Sequence, residues 1–170
     1  MQRIAEFQKV SFDRFKIDYL DTFGTLEGVE EIYDNISLPR RATSGSAGYD
    51  YYIPYPLTLE PGQTAKIPTG IRCKIEDGWV LCNYPKSGLG FKFRLQLNNT
   101  VGIIDSDYYY SDNEGHIFAK ITNDSNEGKV VKLDAGAGFM QGIFMPYGIT
   151  LDDDAQGVRN GGFGSTQAKA

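Results

Sequence analysis

Near the C-terminus the chain reads Arg159-Asn160-Gly161-Gly162-Phe163-Gly164-Ser165-Thr166, one arginine and one aromatic ring among glycines and hydroxyl side chains. So few side chains cannot build a core. Glycines admit positive φ and let backbone N–H groups approach a phosphate, an arginine adds a fork of donors, and the ring can stack on a base. Such a segment either folds over a nucleoside polyphosphate or is a flexible Gly-rich tail.

Four further segments set glycine beside polar or charged residues within apolar, β-rich surroundings. Ser44-Gly45-Ser46-Ala47-Gly48-Tyr49-Asp50 ends in a carboxylate where a strand begins. Asp50 is either a metal-associated group or a turn residue bonding its own backbone. Tyr84-Pro85-Lys86-Ser87-Gly88-Leu89-Gly90 reads as a turn offering a cation, a hydroxyl and N–H groups to an anion. Asn98 to Tyr108 places an apolar strand between an amide and a carboxylate pair. There Asn99 carries the donors and acceptors that a base edge requires, and Asp105 follows Ile103-Ile104, where desolvation would make it a competent base. A hairpin with aspartate at its turn is the other reading. The last segment, Gly136 to Phe144, holds one polar side chain, Gln141, which is either functional or a glutamine satisfied by backbone groups.

The elements that must position these groups are mostly β. Short runs at 49–55, 63–68, 71–75, 79–84, 91–97, 116–122, 129–133 and 139–146 alternate with Gly, Pro, Asn and Asp, the pattern of an antiparallel barrel, jelly roll or sandwich. One short helix is expected at 25–35, with Thr25 as cap and Leu26, Val29 and Ile32 at helical spacing. The 170 residues suffice for one core, and Asp152-Asp153-Asp154 marks a solvated linker into the tail. Net charge is −5 without a basic cluster, which argues against nucleic acid and anionic membranes as partners. The chain has no apolar run of membrane length and no leader pattern, so a cytoplasmic protein is expected. Cys73 and Cys82 sit in apolar contexts far from the lone His116, as structural thiols do.

Taken in order, the five segments resemble the five motifs of the trimeric dUTP diphosphatases (dUTPases), over most of the chain from about Leu38 to Thr166. The resemblance implies a distorted β-barrel or jelly roll assembled as a homotrimer, with active sites between subunits. It implies hydrolysis of dUTP to dUMP and pyrophosphate, assisted by Mg²⁺. Asp105 would activate the water that attacks the α-phosphorus, and Asp50 would help hold the hydrated metal. Lys86, Ser87 and Gly88 would contact the phosphates. Asn99, the backbone of Gly102, Ile103 and Ile104, and the returning strand near Phe118 would read uracil. Tyr108 would pack under the sugar and exclude a 2′-hydroxyl, and Gln141 would lie on the phosphate side. Residues 158–170 would close as a flexible lid over a domain spanning 1–157, with Phe163 over uracil and Arg159, Gly164, Ser165 and Thr166 on the outer phosphates.

Five features depart from the family pattern. Lys86 stands where arginine is usual, residues 109–114 lengthen the tip of the uracil hairpin, and Ala137-Gly138 replace an acidic and a basic residue. Arg159 is one residue closer to Gly-Gly-Phe, and the first 36 residues exceed the usual lead. Two other readings share the fold. A dCTP deaminase would need a glutamate base and arginine-rich serine motifs, whereas this chain has Asp105 and Phe163. A regulatory protein of phage or prophage type would use the long hairpin and N-terminal helix to dock a protein partner.

Overall fold

The computed structural model describes residues 2–162. Strand β1 (Ala5–Lys9) leads into α1 (Phe12–Phe23) and α2 (Val29–Asp34), then β2 (Arg40–Arg41), β3 (Tyr49–Tyr52), β4 (Leu57–Leu59), β5 (Thr64–Pro68), β6 (Ile71–Ile75) and β7 (Trp79–Pro85). Helix α3 (Ser87–Phe93) precedes β8 (Leu95–Leu97) and β9 (Gly102–Ile104). A 3-10 helix, Ser106–Tyr110, and β10 (Phe118–Asn123), β11 (Val131–Leu133) and β12 (Gly138–Pro146) complete the order. The mostly β expectation holds. The largest sheet has the order β2-β3-β12-β7-β9, and β5-β10-β8 forms a second sheet. The pairs β1-β6 and β4-β11 form two small ones, and the strand pairings among the described residues are antiparallel.

The helices differ from the expectation. Thr25 caps nothing at 25–35: its hydroxyl accepts from the Glu27 N–H, and α2 starts at Val29 behind Gly28. The longer α1 was hidden by its weak apolar stripe, although its ends are conventional. Ser11 accepts from the Arg14 N–H at the N-terminus, and Gly24 takes φ +69° at the C-terminus. The segment at 91–97 is not one strand: it completes α3 and turns through Arg94 (φ +53°) before β8 begins. Nor do residues 102–122 form a paired hairpin. Strand β9 pairs with β7, whereas β10 pairs with β5 and β8, and the intervening segment is 3-10 helix and turn.

One hydrophobic core joins all of this. Val10, Phe15, Tyr19, Val29 and Ile36 of the N-terminal segment belong to the same buried cluster as Tyr51, Ile67, Leu81, Ile121 and Phe139 of the sheets. At about 1.5–3 kcal/mol for each large apolar side chain removed from water, the five N-terminal residues make that segment an integral part of the fold. Cys73 and Cys82 are free and buried, as expected of structural thiols.

Candidate active site

Antiparallel pairing sets Gly102 opposite Asn83 and Ile104 opposite Leu81. The close approach depends on glycine, because a Cβ at Gly102 would lie 3.3 Å from Asn83 Cβ and 3.8 Å from Asn99 Nδ2. Asn99 sits in a turn that the Thr100 N–H closes onto the Leu97 carbonyl at 2.9 Å. Beyond β9 the chain bends into the 3-10 helix, where the Tyr108 N–H bonds to the Asp105 carbonyl at 3.2 Å. These turns enclose a cavity of about 750 Å³, in the size range of small-molecule sites. Asn99, Ile103, Asp105, Tyr108, Phe118 and Arg159 line it, together with Gly102 and Ile104. The sequence reading named these eight, about half of the wall. It missed Lys66, Asn83, Asn98 and Lys120, which also face the cavity. Asn83 is 2% exposed in mid-strand, and an asparagine within an apolar strand was the signal.

Tyr108 is buried, and burial pushes its phenol above the usual range, although a hydrogen bond from Asn113 opposes the shift. Its hydroxyl donates to the His116 carbonyl at 2.7 Å and accepts from Asn113 Nδ2 at 2.9 Å. Asp105 is not desolvated in the manner expected. Its side chain is 45% exposed and accepts from Arg159 Nη2 at 2.5 Å, while Arg159 Nε donates to Asp107 at 2.7 Å. The C-terminal arm thus enters the cavity through Arg159 and passes Tyr108 at Gly162, where a Cβ would come within 2.8 Å of the ring. Phe163, Gly164, Ser165 and Thr166 lie outside the described residues.

Asp50, Lys86, Ser87, Gly88 and Gln141 are not part of that wall. Gln141 on β12 lies between Asp50 on β3 and Tyr84 on β7. Its neighbour Met140 faces the cavity, so strand alternation turns Gln141 to the opposite side of the sheet. Lys86 Nζ donates to Asp50 Oδ2 at 2.7 Å. The room for that reach comes from Gly138, where a Cβ would lie 3.1 Å from Lys86 Nζ, and Gly48 packs still more tightly against Gln141. Ser87 and Gly88 are not in a simple turn: they open α3, whose first-turn N–H groups precede its intrahelical bonds. Among the described residues no three His, Cys, Asp or Glu side chains cluster as a metal site. The donor set therefore fits Mg²⁺ only in the mode in which phosphates and water supply most ligands and one carboxylate, Asp50, assists.

A dUTPase family model matches residues 34–167. The chain belongs to the dUTPase family. The deoxyuridine 5′-triphosphate nucleotidohydrolase of Lactococcus lactis is 41% identical over 136 residues, covering 78% of this chain and 89% of the relative. A crystal structure of dUTPase from Streptococcus mutans superposes with a TM-score of 0.62 at 32% identity, over 85% of this chain and 97% of that one. A point mutant of the dUTPase from phage phi11 of S. aureus, described with a structural Mg(II) ion, shares the fold at 17% identity (TM-score 0.63, 91% and 98% covered). The family match decides against the dCTP deaminase reading. No helix among the described residues is long and apolar enough to cross a membrane.

Proposed function

We propose that this dUTPase-family chain hydrolyses dUTP to dUMP and pyrophosphate, with Asp105 activating the attacking water. Family membership supports dUTP diphosphatase activity, and the observation that carries the mechanism is the cavity wall itself. An amide (Asn99), the edge-strand backbone of Gly102–Ile104, a buried ring (Tyr108) and one carboxylate (Asp105) converge on a space of nucleoside size. Asn99 and the strand backbone read the uracil edge. Tyr108 packs under the sugar and leaves no room for a 2′-hydroxyl, and Phe118 closes the side. Asp105 holds the water by a hydrogen bond and takes its proton as the α-phosphorus is attacked.

Phosphoryl transfer needs charge neutralisation and in-line positioning more than a covalent partner. Lys86, Gln141 and the first turn of α3 serve the phosphate chain. Asp50 would help hold a hydrated Mg²⁺, which when bound would supply charge neutralisation to the phosphates. Since Asp50, Lys86 and Gln141 are absent from the wall of their own chain's cavity, the reading places the complete site between copies of the chain in a homotrimer. Arg159 faces two carboxylates here. An incoming triphosphate competes for the same guanidinium, moves it to the outer phosphates and frees Asp105 to act as base. Residues 158–170 then act as the lid, with Phe163 over uracil and Gly164, Ser165 and Thr166 on phosphate. The surroundings in which the enzyme meets its substrate are those of the cytoplasm.

Pyrophosphate release from dUTP, dTTP, dCTP and UTP tests the assignment. Asp105→Asn keeps the shape without the basicity, so kcat should fall by about two orders of magnitude or more while dUMP binding survives. Near-normal turnover in that variant would sink the mechanism.

A further inference from the structure

The N-terminal segment lies almost wholly ahead of the matched region, which begins at residue 34, yet it grips the nucleotide cavity from behind. Asp18 of α1 is buried, and its Oδ2 lies 2.5 Å from Nδ1 of His116, 98 residues away and fully buried. The other ring nitrogen, Nε2, accepts from the Gly70 N–H at 2.8 Å. An acceptor at Nε2 leaves the proton on Nδ1, so the imidazole is neutral and donates to the carboxylate. Arg14, four residues before Asp18, holds the same carboxylate through Nε at 2.9 Å and through Nη2.

His116 reaches two parts of the cavity wall. Its carbonyl accepts from the Tyr108 hydroxyl, and its ring centroid lies 4.4 Å from that of Phe118 and 6.2 Å from that of Phe15 on α1. Two more ties run from the same segment. The N–H and hydroxyl of Ser11 both bond to the Glu114 carboxylate, at 2.8 and 2.6 Å. Asp21 pairs with Lys66, whose Nζ stands 4.9 Å from the Phe118 ring centroid. That last pair is exposed and contributes little on its own. The buried Asp18–His116 contact is the tie that fixes geometry.

We propose that Asp18 is a positioning residue of the nucleotide site, acting through His116 to hold Tyr108 and Phe118, so that the N-terminal segment sets the enzyme's discrimination between deoxyribose and ribose. The proposal rests on the reading that Tyr108 lies under the sugar. Exclusion of a single hydroxyl by a ring requires the ring to be held within about 0.5 Å, and a side chain supported only by one phenolic hydrogen bond has more freedom than that. Here the acceptor of that bond is anchored on both ring nitrogens of its own residue. The residues 109–114 that lengthen the family's tip acquire a role as well, since Asn113 and Glu114 supply the second bond to Tyr108 and the dock for Ser11.

The test compares Asp18→Ala and Asp18→Asn with the wild-type full chain. Readouts are kcat/KM for dUTP against UTP, affinities for dUMP against UMP by calorimetry, and melting temperature. In Asp18→Ala the deoxyribose preference should fall at least fivefold, with KM for dUTP rising more than kcat falls. Asp18→Asn keeps an oxygen acceptor for Nδ1–H and should lose two- to fivefold in preference. A folded variant of either kind whose preference stays within twofold of wild type, even with a lower melting temperature, overturns the proposal and leaves Asp18 a purely structural residue. If Asp18→Ala does not fold, the Asp18→Asn ratio decides alone. Absence of dUTP turnover in the wild type would defeat the activity reading, and the dUMP/UMP affinities would still decide this one.

Discussion

Gly115 offers a sharp test of how the Tyr108 turn is built. Its φ is +69°, and a Cβ there would lie 2.7 Å from both the Tyr108 carbonyl oxygen and Tyr109 Cα, and 3.1 Å from the Tyr108 carbonyl carbon. All three are backbone atoms, so no side chain can rotate away to make room. The left-handed conformation alone costs an alanine about 1–2 kcal/mol. Forcing a methyl into filled space adds about 1–3 kcal/mol, so Gly115→Ala should destabilise by about 2–5 kcal/mol in total. Gly128 is the internal control, since it has nearly the same φ (+71°) but nothing within 4 Å of its Cβ. Gly128→Ala should therefore cost only the conformational part, about 1–2 kcal/mol. For a chain of this size each kcal/mol lowers the melting temperature by about 2–4 °C, which separates the two variants in thermal or urea denaturation. The Gly115 variant should also raise KM for dUTP, because relief of the clash displaces the Tyr108 backbone, whereas the Gly128 variant should not. Equal destabilisation by the two substitutions would refute the packing argument.

Acid stability gives a second test. Burial lowers the His116 titration below its ordinary 6.5 against the pull of Asp18, so as pH falls the unfolded chain takes up this proton before the folded one does. Stability is full above that ordinary value and should decline below about pH 6.5. Burial would raise the Asp18 carboxyl, but the hydrogen bonds from His116 and Arg14 outweigh it and hold it below 3.8, so a further loss should follow as pH falls through the acid range. Urea midpoints at pH 7.5 and 5.5 check the upper step, and a wild-type midpoint that does not drop between them contradicts the neutral buried imidazole. Light scattering should report a mass near three chains of 18.9 kDa. A monodisperse, fully active monomer would contradict the shared site.

The β segments were legible because alternation and turn residues are local signals: Ile71–Ile75 matches the expected run and Gly138–Pro146 extends it by one residue. The errors arose where local pattern competes with context. In α1 only Phe15, Asp18 and Tyr19 are buried, while Ile17, Leu20 and Phe23 remain exposed, so apolar residues on both faces blur the helical stripe. The caps were the clearer signal, with Ser11 at one end and Gly24 at the other. In α3 two glycines disfavour a helix and two phenylalanines favour a strand by propensity, and tertiary placement overrides both.

For the site, the distinction is between residues that share a segment and residues that meet only through the fold. Asn99, Asp105 and Tyr108 stand close in sequence, and a turn suffices to bring them to one wall. Asp18 and His116 gave no local sign, because an aspartate on a helix and a histidine before a strand are each ordinary alone. Their chemistry follows from enclosure: a carboxylate with a neutral imidazole and a guanidinium needs every hydrogen bond in place once water is removed. A buried polar pair 98 residues apart, braced by the part-buried Arg14, thus specifies the relative position of the N-terminal helix and the Tyr108 turn more narrowly than the surrounding apolar contacts, which tolerate sliding. The same reasoning explains why Arg159 meets Asp105 and Asp107. Three charges at a cavity mouth pair by proximity and are partly solvent-exposed, and so suit the contact that the proposed mechanism breaks during turnover better than one that holds the fold.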